Sequence, residues 1–322
     1  MTDQAANKPG LKQGFKVVQP GLMTLIQDAG RYGQHGIGLT VGGPLDGEAF
    51  RWANRLVGND VNATALEASF GGLVLQAQVD SAIALTGAET PLTINGQPKD
   101  QWRTHAVKAG DEIKLGFSTT GCRAYLAVAG GFDIPHSFGS AATVAREKVG
   151  GLKGDKLAAG DVLAANAVKD VELKLLPEWE RPDYSADVSL RVILGYQQAA
   201  FTELQVARFL SSEYTTTDRS DRMGYRLEGP EIKPSIDGIL SEGICHGAIQ
   251  VPADGQPIVL LNDRQTIGGY PKIGSVLSLD TGRLAQLTPG SKVRFEAINI
   301  DEAHNIHMLS RYRENATRMV RG

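Results

Sequence analysis

Six chemically different polar groups fall within ten residues in the second half of this chain. The stretch Asp263-Arg264-Gln265-Thr266-Ile267-Gly268-Gly269-Tyr270-Pro271-Lys272 carries a carboxylate, a guanidinium fork, an amide, a hydroxyl, a phenol and an amine. The run Ile258 to Leu261 just before it is apolar, four residues long and too short for a helix, so it reads as a buried strand. That strand would deliver the polar cluster to its end. Gly268-Gly269 permits backbone angles that other residues avoid, and loops held by buried strands are where binding and catalytic groups are usually carried. The competing reading is an Asp263–Arg264 ion pair that merely pins a turn.

Two further stretches repeat the layout. Leu22-Met23-Thr24-Leu25-Ile26-Gln27 reads as a strand ending in Asp28-Ala29-Gly30-Arg31, and Asp221-Arg222 stands beside Gly224. Arginine grips planar oxyanions with two parallel hydrogen bonds, so three arginines near carboxylates suit a substrate bearing carboxylate or phosphate. Taken singly, each is equally a surface ion pair of little worth. Two acids stand apart from these nodes. Asp46 lies in the first turn of a helix expected over Leu45 to Val57, where a negative charge favours the helix dipole. Glu67 interrupts the apolar strand around Ala65 to Phe70, and is either on a wet face or a placed acid.

Other chemistries find less support. The six histidines are scattered, and His304 with His307 has ligand-like spacing but no third ligand, so no metal site is expected. Cys245 and His246 are neighbours on an extended segment and point to opposite faces, so they make no dyad by themselves. No G-x-x-x-x-G-K-[ST] loop, dinucleotide fingerprint or G-x-S-x-G elbow occurs.

The elements that must position these groups are mostly strands. The 322 residues suggest two domains, and 38 glycines between short β-branched runs point to a mainly β protein with a few helices and many tight turns. We expect a mobile N-terminus at 1–14, a first β-module over 15–187 ending in a charged linker from Val168 to Asp187, a second over 188–303, and a helical tail at 304–322. Helices are expected over Leu45 to Val57, Ala199 to Leu210 and from Asp301 onward. The charge balance, 33 basic against 36 acidic residues, gives a net of -3 and no field for nucleic acid or anionic lipid. With no run of 18 apolar residues, no secretory signal in Met1 to Lys12 and two cysteines, a cytoplasmic location is expected.

Six segments carry a resemblance: GLMTLIQDAGRYG (21–33), GGPLDGEAFRWANRLVGN (42–59), ALEASFGG (65–72), RAYLAVAGGFDIP (123–135), SDRMGYRLEG (220–229) and GQPIVLLNDRQTIGGYPKIG (255–274). In them the chain resembles the biotin-dependent carboxyltransferase-like, or allophanate-hydrolase-subunit-2-like, family, and within it the 5-oxoprolinase branch. One departure is visible, since similar proteins tend to read G-S-R-S-T where this chain has Gly139-Ser140-Ala141-Ala142-Thr143. The resemblance implies cyclophilin-like β-barrels in two modules. It also implies a part in an ATP-dependent 5-oxoprolinase that opens 5-oxo-L-proline to L-glutamate together with A and B components, the latter a Kip-type kinase inhibitor.

In that chemistry ATP phosphorylates the lactam oxygen and water then opens the ring; whether magnesium accompanies the ATP is left open. Arg31, Arg222, Arg264 and Lys272, with Gln265, Thr266, Tyr270, Asp46 and Glu67, would hold the substrate carboxylate or the developing phosphoryl charge. Asp263 or Asp28 would be the general base. Lacking a phosphate loop, the chain would be inactive alone. No Met-Lys-Met biotin attachment site is present, so the alternative of carboxyl transfer needs a separate biotin carrier. A third reading is a regulatory protein that sequesters the Kip-type B component and relieves inhibition of a sensor kinase.

Overall fold

The computed structural model describes residues 13–184 and 187–322. The expected mobile segment at 1–14 therefore lies outside the described residues except at its end, where Gly14 already opens the first strand.

Eleven strands between Gly14 and Ala164 form two facing sheets. One runs in the order Val162–Ala164, Gly14–Pro20, Leu73–Ala77, Glu112–Leu115, Leu92–Ile94, Gln97–Lys99. The other runs Met23–Gln27, Ala65–Ser69, Thr120–Val128, Ser81–Glu89, Thr104–Val107. Alternation along Gly14–Pro20 sends Phe15 and Val17 inward, where they meet Ile26, Leu66, Leu85 and Leu126 of the opposite sheet. Helix α1 (Gly47–Leu56) covers the outer face of the second sheet, packing Phe50, Trp52 and Ala53 near Ala84, Tyr125 and Ala127. Strands Ser81–Glu89 and Thr120–Val128 are thus buried on both faces, which explains why they read as continuous apolar runs.

The second half closes into a seven-stranded barrel. Its order is Val188–Leu194, Lys272–Val276, Ala248–Gln250, Ile258–Leu260, Gly224–Glu228, Tyr214–Thr216, Lys292–Ala297, and a parallel pairing of the last strand with the first completes the ring. Helix α2 (Glu203–Ser211) lays Phe209 on Phe295, ring centroids 4.4 Å apart. The helix expected over Ala199 to Leu210 is split, because Thr202 takes the N-cap position and accepts from Gln205 N; Tyr196–Ala200 is a separate 3-10 turn.

The halves interlock. Leu45, from the first, is part of the barrel's own core. Helix α3 (Thr281–Ala285), too short to show periodicity in sequence, leads to Gln286, whose amide bonds Cys122 N, Arg123 N, Arg123 O and Asp46 Oδ2 across the junction. Helix α4 (Ile300–Ala316) starts at an Asn299–Glu302 capping box and returns to α1, where Arg51 pairs with Glu314 at 2.8 and 3.0 Å. The charged segment expected as a linker is folded in part: Lys174–Leu175 pairs with Val320–Arg321 beyond α4. No helix among the described residues is long and apolar enough to cross a membrane.

Candidate functional site

The site is built where the two halves meet. Strand Ala65–Ser69 carries Glu67 with both faces covered, at 0% exposure. Its carboxylate accepts from Leu45 N at 2.9 Å, from the Tyr125 hydroxyl at 2.8 Å, and from Arg222 Nη1. The same guanidinium donates twice to Asp263, from Nε at 2.8 Å and Nη2 at 3.0 Å, and to Gly43 O at 2.7 Å. Burial works against the charge on Glu67, but Arg222 and Arg123 outweigh it and hold the carboxyl below its ordinary range. Burial and the neighbouring Glu67 push the Tyr125 hydroxyl well up, so it stays a donor. Asp263 is pushed up by burial, with Arg222 pulling against it. Glu67 is therefore a placed acid rather than one on a wet face, and it pins the barrel to the sheets.

Beside this clamp a cleft of about 700 Å³ opens between the sheets, the barrel and α4. Of the residues expected at the site, Arg264 and Asp46 line it. Arg264 is 5% exposed and donates to two main-chain carbonyls, Ile244 O at 3.1 Å and Leu261 O at 3.2 Å. Among the described residues no carboxylate pairs with it. That leaves a fixed, unneutralised positive charge at the cleft wall. Asp46 is engaged elsewhere, since it caps α1 through Ala49 N and accepts from Tyr184 and Gln286.

Next to Arg264 stands a residue the sequence did not single out for the site. His246 Nε2 lies 3.1 Å from Asn262 Oδ1, and Asn262 donates its amide to Gly42 O and Pro44 O. Those carbonyls fix the amide's orientation, so Oδ1 can only accept and His246 must donate from Nε2, leaving Nδ1 as an acceptor. Burial, then Arg264, lowers the imidazole to about 4, so it is neutral near pH 7. Adjacent Cys245 lies against Ser275 Oγ at 3.1 Å.

The remaining expected residues take other positions. Asp28 does not pair with Arg31; it accepts from Gly30 N, Ser140 Oγ and Ala141 N and so holds the segment Ser137 to Ala142. Arg31, fully buried, grips the same segment through Ser137 O and Ala142 O, at 2.8 and 2.9 Å. Ala141 packs into the apolar core between the sheets. Asp221 caps its own turn through Met223 N. Lys272 donates to Glu242, Gln265 donates to Gln250 Oε1 at 3.4 Å, Thr266 O accepts from Ile244 N, and Tyr270 is exposed. Two of the three Asp–Arg nodes therefore meet, through Arg222 and Asp263, while the Asp28–Arg31 node organises a separate loop.

The comparisons with known proteins agree on one family. Its description, carboxyltransferase domain, subdomain A and B, matches residues 37–297. The C subunit of 5-oxoprolinase from Escherichia coli is 37% identical over 295 residues, covering 90% of this chain and 93% of that protein. Its namesake in Haemophilus influenzae is 38% identical over 282 residues, covering 86% and 89%. In solved structures, the K. lactis urea amidolyase superposes with a TM-score of 0.89 at 30% identity over 95% of this chain, which corresponds to 20% of that much longer polypeptide. On the family match and on relatives aligned over nearly their whole length, the chain belongs to the carboxyltransferase-domain family, subdomains A and B, that includes the 5-oxoprolinase C subunits.

Proposed function

We propose that this chain is the C component of a cytoplasmic, ATP-dependent 5-oxoprolinase that converts 5-oxo-L-proline to L-glutamate together with A and B components. The observation that carries this reading is Arg264, a buried guanidinium that has no carboxylate partner among the described residues and lines a cleft. A bound substrate carboxylate would complete its fork, with a charge-assisted pair in a partly dry site. Arg222 is not available for that role, since Asp263 and Glu67 already neutralise it.

Ring opening needs an acceptor for the proton of the attacking water. Asp28 and Asp263 have both carboxylate oxygens engaged, so we assign this part to Nδ1 of the neutral His246, which the Asn262 amide holds in one tautomer. ATP enters as a substrate of the assembled complex and supplies the phosphoryl group that activates the lactam oxygen. Among the described residues no three of His, Cys, Asp and Glu gather as metal ligands, and no step is assigned to magnesium. The likeness to urea amidolyase supports a second reading, carboxyl transfer with a separate biotin carrier.

The test is glutamate release from 5-oxo-L-proline and ATP by this chain with its A and B partners, each omitted in turn. Activity that requires all three supports the reading. Full activity without this chain would leave it a regulatory partner of the B component.

A further inference from the structure

The face of α4 that borders the cleft is its polar one. His307, Ser310, Arg311, Glu314 and Asn315 recur every three or four residues and all line the cleft, whereas Met308, Leu309 and Tyr312 are 70%, 67% and 74% exposed. A surface helix ordinarily turns its apolar stripe to the body and its polar face to water. Here that order is reversed. Of the 17 residues of α4 Ala303 alone is buried, and the helix is held by polar bonds, from Arg51 to the Glu314 carboxylate, from Arg55 to the Glu314 carbonyl and from Arg313 to Glu180. It therefore walls the cleft with donors rather than with a core stripe.

The turn before α3 joins the same wall, since Ser278 Oγ lies 3.3 Å from His307 Nε2, and Arg283 of α3 also lines the cleft. Among the described residues neither Arg283 nor Arg311 has a carboxylate partner. Both are exposed, so their guanidinium groups are open to a ligand. The acids of the cleft are engaged elsewhere: Glu314 gives both oxygens to Arg51, and Asp46 accepts from Ala49 N, Tyr184 and Gln286. Glu48 stands in the first turn of α1. A cleft of about 700 Å³ has room for a drug-sized ligand, so a five-membered cyclic acid paired with Arg264 leaves a large part of it unfilled.

We infer that this part of the cleft is a phosphoryl subsite, in which Arg283, Arg311, His307 and the Ser310 hydroxyl donate to the oxygens of a phosphate group. A phosphate presents three strong acceptor oxygens, more than one guanidinium fork can satisfy. Two forks, an imidazole and a hydroxyl match it, where a lone carboxylate would leave a fork unused. The inference rests on the 5-oxo-L-proline reading for the identity of its ligand, the phosphates of ATP, and deepens that reading: Arg264 takes the substrate carboxylate and the α3–α4 wall takes the phosphates of the co-substrate.

The experiment measures binding of ADP, inorganic phosphate and adenosine to the full chain by calorimetry at low salt. We expect ADP to bind and adenosine, which lacks the phosphates, not to. Displacement of ADP by inorganic phosphate would mark a subsite that takes the phosphoryl group from any source, and ADP binding that phosphate does not displace would mark the nucleotide as the source. Arg283→Met and Arg311→Met, both at exposed positions that the fold tolerates, should each weaken ADP about tenfold or more, as loss of a hydrogen bond to a charged group requires. Arg219→Met, at an exposed arginine outside the cleft, should not. In the assembled complex the same two cleft variants should raise the KM for ATP and leave that for 5-oxo-L-proline unchanged. No ADP binding by the parent chain, unchanged binding in both cleft variants, or an equal loss in Arg219→Met would overturn the subsite, and turnover of 5-oxo-L-proline by the parent complex would then leave the proposed function standing. ADP binding that depends on both arginines, with no turnover by the parent complex, would keep the subsite and overturn the proposed function.

Discussion

Arg222 passes over its chain neighbour Asp221 and grips Asp263, 41 residues away, with two N–H···O bonds of 2.8 and 3.0 Å. Its remaining N–H groups reach Glu67 and Gly43 in the other half of the molecule. One guanidinium thus bonds two buried carboxylates and ties the barrel to the sheets. That role decides how the neighbouring groups can be used. Asp263 is held on both oxygens by Arg222, whereas Arg264, bonded only to carbonyls among the described residues, keeps its charge for a ligand.

Removing the clamp should destabilise the fold. In Arg222→Met two carboxylates lose their counter-charge in a dry junction, and breaking a buried pair in this way costs about 3–5 kcal/mol. A shift of the denaturant midpoint of that order, only partly restored in Arg222→Lys because an ammonium cannot match the bidentate fork, is the expected result. A loss within about 0.5 kcal/mol, as at an ordinary surface site, would mean the junction does not depend on it.

Arg264→Met should lower stability by about 1–3 kcal/mol, since the buried carbonyls of Ile244 and Leu261 lose a donor. In the assembled enzyme the KM for 5-oxo-L-proline should rise about 10- to 100-fold, the equivalent of one charged hydrogen bond. Steady-state kinetics on the assembly of all three components read this directly.

His246 gives a pH signature with a definite sign. Its folded value, about 4, lies below the roughly 6.5 of an unfolded histidine. Between those values the unfolded chain binds more protons, so stability rises with pH and is lost as pH falls from about 6.5 towards 4. Thermal midpoints measured across this window should show a shallower slope in His246→Gln than in the parent. Equal slopes would show that the imidazole is not the group that titrates.

Asp28 holds a loop rather than a substrate. Asp28→Asn keeps the shape but replaces one acceptor oxygen by an NH₂ that faces either the Ala141 N–H or the Gly30 N–H and the Ser140 hydroxyl, which should cost about 1–3 kcal/mol. Limited proteolysis should then cut within Ser137 to Ala142, while the parent resists under the same conditions.

Several of these features are legible along the chain. The periodicity of Leu45 to Val57 marked a helix, because that pattern arises from residues a few positions apart. Asp263 to Lys272 stood out for the same reason: the groups are contiguous. His246 was weighed only as a neighbour of Cys245, and Asn262 was not singled out, since an amide that ends a strand carries no local signal. The split at Thr202 and the five-residue α3 were missed because one capping hydroxyl or one short turn is too little pattern to detect.

The sequence alone determined the mainly β character, the polar stretch after Ile258–Leu260, the presence of Glu67 in an apolar strand, and the family resemblance. Tertiary structure decided the pairing of charges. Arg222 could have paired with Asp221 and Arg264 with Asp263; instead Arg222 took Asp263 and Glu67 and left Arg264 free of acids among the described residues. Charge pairing depends on distance through space and on which groups lose water together, and those follow from how the barrel docks on the sheets. Spacing along a chain does not contain that information, so the freedom of Arg264 at the cleft wall could be identified only after folding.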